Sequence, residues 1–410
     1  MTDLLDSELF FDHSPSDLPD GDAFLAWRLR SLTPAEFGAL SVDWLSRKQL
    51  AYLAWCGLLA PSSHNTVPQW FELLPEMRAL RVWLDRSRVL PASDPSGRQA
   101  TISVGCAIGN IALAALCVGL DVDIELADTP IGRTGPWLNS EQRHVPLMML
   151  RFRESTPPTN SIDWIDLMRR RKVVRAEYDE STRLSKTLAE QLQKVVAKRK
   201  GLELHLITDP SALIALGKLQ ELADNTVINR VSFVRELGDW LLENDDMSTL
   251  GMRGREFGMS DEASRRFHCG FKGEVSLFPD ETAALAKTGN IGIRTSSAVG
   301  VITVAEDDLE HRLAAGWAFE EVSLRLLCEQ FVVSVHAGTI EVETSNLTLK
   351  GRLRTRNRPV ILFRIGKPRR PEDGQRPHSS RPRLSAQTLV DLPSGVDRRF
   401  DPDPASGSKE

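Results

Sequence analysis

ISVGCAIGNIALAALCVGL, residues 102–120, runs without a single charged side chain. Its length approaches the ~20 apolar residues that a membrane span requires. It nevertheless carries Ser103 and Asn110, and neither end has the aromatic or basic belt of a span. Gly105 and Gly109 stand four apart, so one helical face is bare enough for another helix to approach closely. These features predict a helix buried at the centre of a soluble protein.

A second stretch repeats this one. With Gly105 set on Gly316, Ala107 falls on Ala318, Leu113 on Leu324, Leu116 on Leu327, Cys117 on Cys328 and Val122 on Val333. Both helices run directly into strand-like segments, VDIEL after the first and VVSVH in the second. A helix starting near Leu45-Ser46 likewise resembles one starting near Leu184-Ser185. The repeat predicts two related halves, residues 41–155 and 156–366, joined near Thr156-Pro157-Pro158. Residues 1–40, with Asp and Pro clusters, read as an N-terminal extension. Residues 367–410, rich in Pro, Arg, Ser and Asp, read as a disordered tail with too few apolar groups to offset its ordering entropy. Strands are expected at LRVWL (from Leu80), VPLMMLRF (Val145), LELHLI (Leu202), VGVITV (Val299) and PVILFRI (Pro359). Helices and strands mix without regular alternation, which selects an α+β fold over a doubly wound sheet.

The composition fits a chain that folds in water. Of 410 residues, 41% are hydrophobic and 26% charged, and the net charge of -5 argues against affinity for nucleic acid or an anionic membrane. Cys56, Cys106, Cys117, Cys269 and Cys328 are odd in number and widely spaced, so they read as thiols in a reducing compartment and not as a disulfide frame or zinc site. The acidic start (Asp3, Asp6, Glu8) is unlike a signal peptide, and a cytoplasmic location is expected.

Four segments carry the candidate chemistry. APSSHNTVPQWF, residues 60–71, follows a helix that Pro61 terminates, and it packs Ser62, Ser63, Asn65, Thr66 and Gln69 onto a tight backbone. Such short donors and acceptors suit a flat, heteroatom-edged ligand, but taken alone they favour an ordinary polar turn. DRSRVLPASDPSGRQATISVGCAIGN, residues 85–110, feeds the long helix. RRRKVVRAEYD, residues 169–179, opens the second half, and LTLKGRLRTRNRPVILFRIG, residues 347–366, closes it. Arg171 and Arg175 would share one face of a helical turn. With Lys350 and Arg352 they would supply several cationic donors to a phosphate.

Together these segments resemble the nitroreductase family of FMN-dependent oxidoreductases, and in particular its single-chain branch, the Acg family. The family's dimeric members bring a Pro-Ser-Ser-x-Asn segment from one subunit and a basic helix with a C-terminal Lys/Arg pair from the other. Here the first half holds APSSHN and the second holds RRRKVVR and LKGR, so the resemblance implies a pseudo-dimer with one complete site over roughly residues 44–366. It assigns Arg170, Arg171, Arg175, Lys350 and Arg352 (or Arg354) to the FMN phosphate, and Pro61, Ser62, Ser63 and Asn65 to the ring and ribityl chain. It also matches VSVHAGT to the loop whose amide meets the flavin N5 edge, here Ala337, Gly338 or Thr339. Two positions depart from the family pattern: Val173 replaces a Ser or Thr, and Val67 replaces a Gln.

The implied activity is transfer of hydride from NAD(P)H through FMN to a nitro, quinone or enone-like small molecule, with no metal and no protein nucleophile. Two other readings are an FMN-sequestering protein closed by a lid within residues 236–278, and a biosynthetic tailoring dehydrogenase. A monomer with pseudo-dimeric halves and a homodimer are both compatible with the sequence.

Overall fold

A computed structural model describes residues 47–127, 142–156, 162–246 and 248–370. The expected N-terminal extension and residues 371–410 of the expected tail lie outside the described residues.

The first half opens with α1 (Arg47–Leu58), then β1 (Gln69–Leu74), β2 (Ala79–Asp85), the long α2 (Arg98–Cys117), β3 (Leu120–Leu126) and β4 (His144–Glu154). A short α3 (Trp164–Arg170) leads into the second half. There follow α4 (Lys186–Ala197), β5 (Leu202–Ile207), α5 (Pro210–Ile228), α6 (Val231–Trp240), the two-residue strands β6 (Leu241–Leu242) and β7 (Met252–Arg253), α7 (Asp261–Phe271) and α8 (Pro279–Arg294). The chain continues through β8 (Ala298–Val304), α9 (Leu309–Cys328), β9 (Val332–Val335), α10 (Gly338–Glu341), α11 (Glu343–Leu353) and β10 (Arg358–Gly366).

Two four-stranded antiparallel sheets result, ordered β1-β2-β4-β3 and β5-β8-β10-β9. The two orders are identical once each half is renumbered from its own first strand. The central helices correspond in length as well: α2 and α9 each have 20 residues. Each ends in a left-handed residue, Gly119 at φ 75° and Gln330 at φ 62°, whose amide bonds back to Leu116 and Leu327 respectively. The fold is therefore α+β, a pseudo-dimer of related halves within one chain.

The seam between the halves is the crossing of α2 and α9. A Cβ on Gly105 would lie 2.2 Å from the Leu313 carbonyl oxygen, and one on Gly316 would lie 2.0 Å from that of Ile102. Backbone meets backbone there, and the cores interlock across it. Leu313 and Leu324 of α9 pack in the first half's core, while Cys106 of α2 packs in the second's. Burying each such side chain contributes about 1.5–3 kcal/mol. Among the described residues α2 is the one helix long and apolar enough to cross a membrane, and most of it is buried in the protein. A charged tie crosses the same seam. Arg171 sits 3.1 Å from Glu320 of α9 and donates to the Leu59 carbonyl at 2.8 Å, while Asn110 donates to Cys56 at 3.1 Å. Burial raises the Glu320 carboxyl to about 7 despite the opposing Arg171 charge.

The halves differ in their connections. Residues 75–78 join β1 to β2 as a tight turn, whereas β5 and β8, neighbours in the other sheet, are separated by α5 to α8. In the first half the α1–β1 and β2–α2 connections are the longer ones, at 59–68 and 86–97; their counterparts 198–201 and 305–308 are short. The long connections touch one another and form the candidate site.

Candidate functional site

The connection at 59–68 is a strained polar turn. His64, Asn65 and Val67 take positive φ values of 49°, 54° and 46°. For β-branched Val67 this is a genuine outlier, which surrounding bonds must hold in place. Ser62 Oγ accepts from the Val67 amide at 2.9 Å, and the Val67 carbonyl accepts from Arg88 at 3.0 Å. The Ser63 amide donates to Ser103 Oγ of α2 at 3.2 Å.

The excursion between β5 and β8 closes over this turn. Asn65 Nδ2 donates to the carbonyls of Thr249 (3.2 Å) and Gly251 (3.0 Å), and the Gly251 amide returns a bond to the Asn65 carbonyl at 3.2 Å. Further along, Glu236 of α6 accepts from the amides of Ala92 (2.7 Å) and Ser93 (2.9 Å). Arg175 lies beneath the same cover. Its guanidinium stacks 4.2 Å from the Phe257 ring centre, touches the Met252 sulfur at 4.0 Å and stands 3.9 Å from the Glu256 carboxylate.

Two buried imidazoles feel the Arg175 charge. Burial and the Arg175 charge lower His64 to about 4. Burial, then Arg364 and Arg175, lowers His336 to about 3. Both rings are neutral at pH 7. The buried His64 Nδ1 and His336 Nε2 have no hydrogen-bond partner among the described residues.

Behind His336 lies a carboxylate cluster. Asp224 faces Gly338 and Gly289, where added Cβ atoms would meet its oxygens at 2.2 and 2.6 Å. Burial raises Asp224 to about 7, Asp94 to about 6 and Glu341 to about 8. Gln99 of the first half bonds Glu341 of the second. Among the described residues no group of three His, Cys, Asp or Glu side chains is arranged to hold a metal ion.

Set against the sequence expectations, the turn at Pro61, Ser62, Ser63 and Asn65 and the second-half Arg175 share one neighbourhood. The other expected cations lie on separate elements. α3 ends at Arg170 and Arg171 is extended (φ -62°, ψ 130°), so Arg171 and Arg175 do not share a helical face. Arg170 turns outward onto Asp166 at 2.7 Å, and Arg171 is held inside by Glu320. Lys350 and Arg352 lie in the last turn of α11, where Arg352 lines a surface hollow with Ser211 and Leu222 of α5, and Arg354 forms the left-handed end of that helix. Arg170 and Arg171 are thus engaged by Asp166 and Glu320 and not turned toward Arg175. In the 336–339 loop the Thr339 amide is bonded to Gln220 at 3.2 Å, leaving those of Ala337 and Gly338 as the expected edge donors. His64 and His336 sit inside the quoted motifs without having been assigned a role, and Glu236 and Glu256 belong to a segment whose sequence signals only charge.

No family model and no curated protein matches the chain. Solved structures do. The FMN-dependent nitroreductase NfnB from Mycobacterium smegmatis, in complex with NADPH, aligns at 10% identity over 55% of this chain and 96% of its own, with a TM-score of 0.35. The FMN and NADPH-dependent NfnB from Sphigopyxis sp. strain HMH aligns at 15% identity over 56% and 97%, TM-score 0.35. A nitroreductase-like protein from Streptococcus mutans aligns at 12% identity over 56% and 98%, TM-score 0.29.

Proposed function

We propose that the chain binds one FMN where the 59–68 connection of its first half meets Arg175 and the excursion of its second, and acts as a flavin-dependent oxidoreductase of nitroreductase type. The carrying observation is that the Ser62–Asn65 turn of one half is joined through Gly251 and Met252 to Arg175 of the other, whose charge acts on both His64 and His336. The unpartnered nitrogens of His64 and His336 at that meeting point fit a ligand bearing oxyanions and ring heteroatoms, because buried donors without partners are costly. In this reading Arg175 holds the phosphate, Pro61, Ser62, Ser63 and Asn65 border the ribityl chain and ring, and the amides of Ala337 and Gly338 meet the N5 edge. Arg170, Arg171, Lys350 and Arg352 fall outside the site. FMN, when bound, would supply hydride and electron transfer from NAD(P)H to a nitro, quinone or enone-like acceptor. The chain's own part is to orient the cofactor, supply fixed amide donors and exclude water through the excursion.

A second reading, FMN storage without turnover, draws on that same cover: bonds from Asn65 and to Glu236 tie the excursion down at two points. Reconstitution with FMN followed by steady-state NADPH oxidation with a quinone acceptor tests both readings. Catalytic turnover dependent on FMN supports the oxidoreductase. Tight FMN binding without acceptor-dependent oxidation favours storage. No FMN binding contradicts both.

A further inference from the structure

We propose that Glu256 stands in for a ligand's oxyanion. The excursion holds its carboxylate toward Arg175, at a position completed by His64 Nδ1 and His336 Nε2, and a phosphate-bearing ligand binds there by displacing it.

Arg175 and Glu256 pair at 3.9 Å, longer than the 3.1 Å of Arg171–Glu320 and the 2.6 Å of Arg358–Glu343 and equal to that of Arg78–Glu154. Glu256 is nevertheless well enclosed, with its side chain 14% exposed. The guanidinium plane is fixed by stacking on Phe257, the residue after Glu256, so the excursion holds the cation's orientation as well as its counter-charge. The backbone at 254–257 is a single 3-10 turn and not part of a sheet or long helix. It follows directly on the strand whose preceding residues hang from Asn65. Glu256 and Phe257 are adjacent on this turn, so displacing the turn removes both together.

The two imidazoles give the position its ligand preference. His336 Nδ1 lies 3.7 Å from where a Cβ on Gly289 of α8 would stand. His64 is the neighbour of the latch residue Asn65, and Gly251 and Met252 carry the contact on from Asn65 to Arg175. A neutral imidazole can present N–H to an acceptor, and a guanidinium engages two oxygens at once. A phosphomonoester offers acceptors to all three groups, whereas the single carboxylate of Glu256 leaves both ring nitrogens without partners.

The proposal takes its ligand from the flavin reading, but the position can be tested without a flavin. Inorganic phosphate is the probe, titrated against the full chain at constant ionic strength with chloride as the matched control. Binding is read by thermal shift and by calorimetry. Glu256→Gln is expected to bind phosphate at least threefold more tightly than the unsubstituted chain, and Arg175→Gln at least tenfold more weakly than Glu256→Gln. Glu256→Gln alone decides the matter if Arg175→Gln fails to fold. No preference for phosphate over chloride in Glu256→Gln, or phosphate binding undiminished in a folded Arg175→Gln, overturns the proposal. Comparison of FMN with riboflavin separates the two claims. Phosphate binding in the expected pattern without any flavin binding keeps the anion position and sinks the flavin reading. Flavin binding with no response to Glu256→Gln keeps that reading and sinks the stand-in.

Discussion

Gly105 and Gly316 meet at the crossing of the two long helices: a Cβ on Gly316 would lie 2.9 Å from the Gly105 Cα and 2.0 Å from the Ile102 carbonyl oxygen. The glycine that repeats in the sequence thus packs against its own counterpart, so the internal repeat and the helix contact have one cause. Because the obstruction is backbone, no side-chain rotation relieves it. Gly316→Ala is expected to cost about 3 kcal/mol of stability through overpacking. Gly351→Ala, in α11 with nothing within 4 Å, should gain about 0.5–1 kcal/mol from helix propensity. Urea midpoints of the two variants measure the contrast, and equal midpoints would remove the argument for a tight seam.

Arg171 offers a separable test, since its guanidinium serves the seam and not the candidate site. Arg171→Met leaves the buried Glu320 without its cation and should cost about 3–5 kcal/mol, the range for breaking a buried pair. Adding Glu320→Leu should recover most of that loss, because neither charge is then stranded. A double variant no more stable than Arg171→Met alone would show that the pair is not the cause.

The buried carboxyls should lower stability as pH rises from about 4 to about 8, while His64 and His336, neutral in the folded chain down to about 4 and about 3, act in the opposite direction below the ordinary imidazole value. Asp94, Asp224 and Glu341 are raised to about 6, 7 and 8 by burial. Over that window the folded chain keeps protons that the unfolded chain has released, so their stabilising effect is fully present below the unfolded values and is lost as pH passes the folded ones. Asp85 runs the other way. It is lowered to about 2 by Arg143 and Ser87, against the effect of burial, and its stabilisation is lost only as pH falls through that value. Glu341→Gln keeps the shape of the side chain that Gln99 contacts while removing the titration. Its urea midpoint should drop less between pH 5 and pH 8.5 than that of the unsubstituted chain, and an unchanged drop would acquit Glu341.

Asn65 latches the excursion through its side chain, so Asn65→Ala should loosen that segment without loosening the core. Each lost hydrogen bond contributes about 0.5–1.5 kcal/mol. Amide exchange in residues 249–257 is expected to quicken several-fold, with α2 and α9 unchanged. Exchange that stays slow in 249–257 would assign the closure to other contacts.

Much of this was legible in the sequence because it rests on local patterning. The five strand candidates are β2, β4, β5, β8 and β10, and the apolar run at 102–120 lies largely within α2, the helix at the seam. The register Gly105 on Gly316 could be read because both positions must lack a Cβ. Side-chain direction was not legible. The arginines at 170, 171 and 175 form one basic run in sequence, yet α3 stops between the first two, and the three point to solvent, to Glu320 and to the excursion. The excursion itself joins two strands that are neighbours in the sheet, and a pairing across so long an insertion leaves no periodic signal. β1, too, was hidden within a segment read as a polar turn.

The central claim is a single flavin position made jointly by the two halves. The most direct measurement is the identity and amount of flavin released on denaturing the FMN-reconstituted, gel-filtered chain. The account predicts FMN at close to one per chain, lost on Arg175→Gln and retained on Lys350→Ala. Two flavins per chain, FAD in place of FMN, or loss of FMN on Lys350→Ala equal to that on Arg175→Gln would contradict it.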